Sequence, residues 1–299
     1  MKSVFIIIPV HNRRQKTLNC LAQLQNTGCL DNYEVVIIDD GSIDGTGEAV
    51  EINYPQVKIL RGDGNLWWTG GIKKGMEYVY SQGAEYFLWL NDDCTPGAGT
   101  IETLLSLCQT HSNSIAAAQV IDPDTGAPTY GGFLCGNGQI VPVDAAENDR
   151  YCDALNGNLV CFPRRVIDDI GYPDARLFPH YHGDTTYTRK AHKAGYELLL
   201  VKEAIAFGKN DHAPVSWVNP PVSVMNYWQD YFHIKSPYYW KADLAHHIYL
   251  LGYRGFFIYL WNRILKFSLI SLFVAPLPKN VRLQLQQIYR KLKKQPQLQ

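Results

Sequence analysis

The chain lacks a long uncharged apolar run where one would matter most. Near its end the longest uncharged stretch, Phe267 to Pro278, has 12 residues, whereas a helix crossing a bilayer needs roughly 20. A plain transmembrane span is therefore not expected. Cysteine pairs at redox or metal spacing are missing as well. The seven cysteines are scattered and odd in number, with no Cys-x-x-Cys and no Cys/His ligand spacing, so they read as reduced thiols of a cytosolic protein. No Gly-x-Gly-x-x-Gly follows the first apolar run, which argues against a dinucleotide dehydrogenase. No small-residue cleavage site follows Val4 to Val10 either; His11-Asn12-Arg13-Arg14 comes instead, so that run reads as a buried strand rather than a signal segment. Internal repeats and low-complexity tracts are absent. Finally, residues 241–299 almost lack acid: they carry ten Lys and Arg against Asp243 alone.

What is present is an acidic body joined to a basic end. The chain has 28 bases and 28 acids, so the first 240 residues keep 18 bases and 27 acids. Such asymmetry points to an anionic partner for the tail. Hydrophobic residues make up 46% of the 299 positions, enough for one large domain or for a catalytic domain with an appendage.

Apolar runs alternate with helical patterns over the first hundred residues. Val4 to Val10, Val35 to Ile38, Val57 to Leu60 and Tyr86 to Leu90 read as strands. Arg13 to Thr27, Thr46 to Ile52 and Thr69 to Gln82 read as helices. This order predicts an α/β fold with a mostly parallel sheet flanked by helices. Ligands of such sheets sit beyond the carboxyl ends of the strands, and three expected strands end in His11-Asn12, Asp39-Asp40 and Asn91-Asp92-Asp93. Further on, 121–148 reads as loops and short hairpins, Asn156 to Phe162 as a strand and Arg164 to Ile170 as a short helix. Thr185 to Ala194 reads as a helix, and Glu197 to Val201 and Ala204 to Phe207 as two strands.

Acidic side chains at a buried strand end cost desolvation energy unless a cation compensates. A hard divalent ion does so, and Mg²⁺ commonly takes one or two carboxylates together with diphosphate oxygens. Neighbouring strand residues face opposite ways, so we expect Asp93 to hold the metal and Asp92 to meet a sugar or ribose hydroxyl. A helix cap ahead of Pro96-Gly97 is the plainer account of the same residues. The run Asp39 to Thr46 allows either a carboxylate that receives a base or ribose, or a simple turn.

Ile8-Pro9-Val10-His11-Asn12, Ile38 to Thr46 and Leu90-Asn91-Asp92-Asp93 occur in that order and together resemble the family 2 glycosyltransferases of GT-A, Rossmann-like fold. The likeness spans roughly Lys2 to Lys209 and is densest before Pro96. Gly62 to Gly71 resembles a rhamnosyltransferase-like branch. The resemblance implies that Pro9, His11 and Asn12 line the nucleotide pocket, with Asp39 or Asp40 on base or ribose. Asn65, Gly70 and Gly71 would lie near the diphosphate, where a helix N-terminus favours anions. Trp67 and Trp68 stand where small residues are commoner, and would either wall the sugar pocket or belong to the core. Asn91 departs from the first acidic position, leaving Asp93 as the main ligand for Mn²⁺ or Mg²⁺. Asp184 falls where the family keeps its general base, and is equally suited to cap the helix after it. His180 and His182 would orient the acceptor, and His212 would serve metal or diphosphate.

The activity implied is an inverting, single-displacement transfer of a hexosyl or deoxyhexosyl group from a nucleotide-diphosphate sugar to a glycan or lipid-linked hydroxyl, as in cell-envelope polysaccharide synthesis. A nucleotidyltransferase would show a Gly-rich basic loop where Pro9 to Arg13 stand. A non-catalytic nucleotide-sugar-binding scaffold is the third possibility. We expect a catalytic domain over 1–230 and a basic amphipathic helical region over 231–299. Val281, Leu285, Ile288 and Leu292 share one helical face among basic residues, the pattern of an interfacial helix. The tail would bind an anionic membrane surface on the cytoplasmic inner face, not nucleic acid, or would pack on the body or on a second subunit of a homodimer.

Overall fold

The computed structural model describes residues 3–137, 139–145, 148–209, 224–274, 277–278, 280–282 and 284–285. The unbroken apolar run of β1 (Val4–Val10) requires cover on both faces, and it has it. Val4, Ile6, Ile8 and Val10 join one core, Phe5 and Ile7 the other. The chain continues through α1 (Arg14–Asn26), α2 (Cys29–Asn32), β2 (Glu34–Asp39), α3 (Thr46–Asn53), β3 (Lys58–Arg61), α4 (Trp67–Ser81) and β4 (Tyr86–Leu90). Next come β5 (Thr95–Pro96), α5 (Thr100–Thr110), β6 (Ser114–Ile121), β7 (Pro128–Tyr130), β8 (Gly132–Gly136), β9 (Gln139–Val143), β10 (Arg150–Cys152), β11 (Ala154–Leu155) and β12 (Leu159–Pro163). The last elements are α6 (Arg165–Ile170), α7 (Gly183–Lys193), β13 (Glu197–Phe207), α8 (Val224–Phe232), α9 (Trp240–Leu251) and α10 (Tyr253–Tyr259). Residues 260–274 then alternate π- and α-helical turns.

The main sheet runs β10-β13-β6-β12-β4-β1-β2-β3. β1 pairs in parallel with both β2 and β4, β2 with β3, and β6 with β13, while β12 is inserted antiparallel between β4 and β6. Because β4, β1 and β2 are parallel neighbours, the three polar clusters that follow them leave the same edge of the sheet. A small antiparallel sheet, β11-β8-β9, forms beside it.

The structure departs from the sequence reading in three instructive places. α5 and β6 fill a stretch to which the sequence reading assigns no element; β6 carries alanines at its centre, which are weak strand formers made strand-like by burial. The two strands expected at 197–207 are one, β13, with a register shift between Val201 and Ile205. α4 starts at Trp67, two residues before the expected Thr69.

α9 packs on α7 and on β8 and β9. Its Asp243 is buried and accepts from Arg263 Nε at 2.6 Å, while Lys193 Nζ donates to the Tyr249 carbonyl at 2.7 Å. Among the described residues no helix is long and apolar enough to cross a membrane. Large apolar side chains stand in solvent after α9, among them Tyr253 (74% exposed), Phe257 (62%) and Phe273 (68%).

Candidate functional site

A cavity of about 590 Å³ opens at the strand tips, a size suited to a small ligand. Pro9, His11, Asp40, Trp68 and Gly71 line it, and so do Asp92, Asp93 and Asp184. Asn12, Asp39, Asn65 and Gly70 are not on its wall, and His212 lies outside the described residues.

Local hydrogen bonding explains this sorting. Asn12 takes the left-handed backbone (φ 54°), donates its N–H to Ser42 Oγ and accepts from Ile43 N–H, both at 2.8 Å. It therefore stitches the loop after β1 to the loop after β2. His11 Nδ1 meets the Asp40 carbonyl at 2.6 Å. Asp39 accepts the Ser42 N–H and stands 3.6 Å from Arg61, so it is spent on the turn. Gly41 makes that turn possible: it has φ +66°, and a Cβ there would sit 2.8 Å from the Gly64 nitrogen. Of the two acids that the sequence reading left open, Asp40 faces the cavity. Its carboxylate accepts from the Gly64 and Trp67 N–H groups, each at 2.9 Å. Trp67 needs such an anchor, since its φ of 57° is costly for a bulky residue.

The two departures from the family pattern prove to be partners. Trp68 Nε1–H donates to Asn91 Oδ1 at 2.7 Å. The same indole meets Trp89 edge-on at 5.6 Å, so it is packed against the core and lines the cavity at once. An amide oxygen at position 91 accepts that N–H without adding another negative charge beside Asp92 and Asp93.

Asp92 is buried and accepts from Thr17 Oγ1 at 3.0 Å. Burial pushes its carboxyl up to about 6 against the pull of Arg13. The sequence reading does not single out Arg13; its one local signal is a base directly after the polar pair His11-Asn12 at a strand end. Its Nε stands 2.9 Å from Asp92 Oδ1 and its Nη2 donates to Asp93 Oδ2 at 2.6 Å. Asp93 is the open member of the pair, with a side chain 38% exposed. Among the described residues no three His, Cys, Asp or Glu side chains gather as a metal cage. The donor set fits a divalent ion held by one carboxylate and completed by ligand oxygens, the arrangement usual for Mg²⁺.

Asp184 sits in the first turn of α7, one residue past the helix start, with His182 as the capping position. Its carboxylate accepts from Gly157 N–H at 2.9 Å and from Thr185 N–H at 2.7 Å, and a negative charge there suits the helix dipole. Only glycine fits at 157, because a Cβ would come within 2.6 Å of Trp68 and 2.9 Å of the Asp184 Cβ.

Part of the remaining wall comes from later in the chain. His182, also left-handed at φ 69°, stacks on His246 of α9 at 4.0 Å. Burial pulls both imidazoles below the ordinary histidine value. Lys235 lies over Trp67, 4.8 Å from the ring centre, and His180 meets the same ring edge-on at 5.8 Å. Lys235, His246 and Leu250 line the cavity. No local signal in an apolar, basic tail marks them, since their partners lie far away in sequence.

The family described as Glycosyl transferase family 2 matches residues 5–135. Glycosyltransferase AglE of Haloferax volcanii is 29% identical over 214 residues, covering 68% of this chain. The chain spans 65% of that relative's length. Among solved structures, the mannosyltransferase PcManGT from Pyrobaculum calidifontis, in complex with GDP-Man and Mn²⁺, superposes with a TM-score of 0.58 at 13% identity, over 98% of this chain and 81% of that one. S. aureus TarS 1-349 in complex with UDP-GlcNAc gives 0.58 at 14% identity, over 94% and 78%. GalNAc-T7 with UDP, GalNAc and Mn²⁺ gives 0.57 at 15% identity, over 92% and 58%. The solved structures establish a GT-A fold, and the family match together with the relative supports a family 2 glycosyltransferase.

Proposed function

We propose that this chain is an inverting family 2 glycosyltransferase, of the rhamnosyltransferase-like branch, moving a hexosyl or deoxyhexosyl group from a nucleotide-diphosphate sugar to a hydroxyl of a glycan or lipid-linked acceptor. The observation that carries the reading is the meeting of Asp93, Arg13 and Asp184 on one cavity. That is what a displacement needs: charge compensation for a leaving diphosphate and a base for the incoming hydroxyl.

In this mechanism Asp40 and His11 meet the nucleoside, Asp92 a ribose or sugar hydroxyl, and Trp68 the sugar face. Asn12 and Asp39 act by shaping the loops after β1 and β2, Asn65 stands in the turn before α4, and Gly70 is buried in α4. Asp93 would hold Mn²⁺ or Mg²⁺, with His212 a further ligand; the ion supplies positive charge to the leaving diphosphate. Asp184 takes the proton of the acceptor hydroxyl as its oxygen bonds to the anomeric carbon. The bond from that carbon to the diphosphate oxygen breaks, and its electron pair leaves with the diphosphate. Two lone-pair positions of Asp184 are already occupied by the Gly157 and Thr185 N–H groups, which fixes the carboxylate while leaving others for the proton.

Residues 1–230 would form the catalytic domain, with 231–299 completing the acceptor side. We read the exposed aromatics of 253–273, followed by the bases of the tail, as a surface that binds the anionic inner face of a membrane peripherally.

The test is a thermal-shift series with UDP, GDP and dTDP, with and without Mn²⁺, followed by turnover of the matching sugar donor. A ligand that binds only the folded state raises the midpoint. Asp93→Ala is expected to remove the Mn²⁺ dependence, and Asp184→Asn to cut transfer by about 10²–10⁴-fold while nucleotide binding persists. If no nucleoside diphosphate stabilises the chain, or if Asp184→Asn turns over normally, the assignment is wrong.

A further inference from the structure

Arg13 sits at the junction of β1 and α1, with one edge on Asp92 and another on Asp93. The two carboxylates are not equivalent. Asp92 has a side chain only 4% exposed and is also held by Thr17, one turn along α1 from Arg13, so its partners are fixed by the helix. Asp93 is open to the cavity, and the Arg13 Nη2 reaches the carboxylate that the proposed function gives to the metal. A guanidinium held on Asp93 Oδ2 offsets the negative charge that a divalent ion would bind, and like charges repel at that distance. A guanidinium keeps its charge at any ordinary pH and offers five donors in a rigid fork, suited to carboxylate or phosphate alike.

Resting on the glycosyltransferase reading, we propose that Arg13 is a positioning residue that makes binding of the metal and of the diphosphate depend on one another. With no ligand bound, Nη2 occupies Asp93 and opposes a divalent ion arriving alone. With ion and diphosphate both present, Asp93 would hold the ion, Arg13 Nε would stay on Asp92, and the released Nη edge would turn to the diphosphate oxygens. Each ligand then binds better with the other present, and by linkage the factor is the same in both directions.

The experiment measures Mn²⁺ binding to the full chain by the loss of the free-ion paramagnetic resonance signal at low ionic strength, alone and with UDP or GDP. Arg13→Gln is expected to tighten binding of Mn²⁺ alone by about fivefold or more, and to shrink by a similar factor the gain that nucleoside diphosphate confers. Arg13→Lys keeps the charge but not the fork, and should leave Mn²⁺ alone bound as weakly as in the wild type. Thermal melts without ligand establish that both variants fold; should Arg13→Gln fail, the milder Arg13→Lys still decides the matter by the size of the coupling. Unchanged or weaker binding of Mn²⁺ alone by Arg13→Gln, or full coupling in both variants, overturns the proposal. Absence of binding by any nucleoside diphosphate to wild type would instead overturn the glycosyltransferase reading, and the comparison with Mn²⁺ alone would remain interpretable.

Discussion

Replacing Asp40 by asparagine tests the link between the strand tip and the strained start of α4. The wild-type carboxylate receives two backbone N–H groups, from Gly64 and Trp67, at 2.9 Å each, in a residue only 6% exposed. Asparagine offers one carbonyl oxygen and one NH₂, so one bond survives and the other becomes N–H against N–H. An unsatisfied buried donor costs about 1–3 kcal/mol. The left-handed backbone of Trp67, at φ 57°, leans on one of these two bonds and stores roughly 1 kcal/mol or more. We therefore expect Asp40→Asn to lose about 2 kcal/mol, read as a fall of about 5 °C in a thermal melt. Asp40→Ala, which strands both donors, should fall further. The order wild type, Asn, Ala should reappear in nucleoside diphosphate affinity if Trp67 and Gly64 shape that pocket. Equal melts for all three proteins would refute the idea that Asp40 holds this turn in place.

The histidine seam gives stability a defined pH dependence. His182 and His246 have folded values below the ordinary 6.5 or so, so the unfolded chain binds more protons near that pH and stability falls as pH drops through about 6.5 toward those lower folded values. Asp92 works the other way, because its folded carboxyl near 6 favours the protonated folded state, a contribution present at low pH and lost as pH rises from about 4 to 6. Urea melts should therefore show stability falling as pH drops through about 6.5, and His246→Phe should flatten that fall; a slope that His246→Phe leaves untouched contradicts the assignment. For the tail, cosedimentation with vesicles containing phosphatidylserine should drop on Phe256→Ser/Phe257→Ser and with rising salt, whereas binding indifferent to both would remove the membrane role.

Much of the architecture was open to reading because it rests on local patterns. The doubly covered strands β1, β2 and β4 announce themselves as continuous apolar runs, and their polar ends mark the edge where the cavity lies. β6 is not legible in the same way, because alanine says little about strand or helix until its neighbours are known. The site splits along the same line. Asp93, Asp184 and Asp40 are visible as acids at element ends, whereas the choice of Asp40 over Asp39 depends on which side chain the Gly41 turn captures. His246 and Lys235 reach the cavity through packing of α9 and the segment before it, and no spacing within the tail encodes a contact made with α7 and with Trp67. The tail thus gave a charge signal but concealed a share of the wall.

The indole-to-amide bond between Trp68 and Asn91 carries an evolutionary corollary. A change at either position alone is costly: aspartate at 91 would set a third carboxylate beside Asp92 and Asp93, and a small residue at 68 would open a void beside Trp89 and leave the amide oxygen without its donor. The two sites should consequently drift as a unit, tryptophan with asparagine in one lineage and a compact side chain with an acid in another. Sequences carrying that paired signature would form a subgroup recognisable without any structure, and hybrid combinations should be scarce among them.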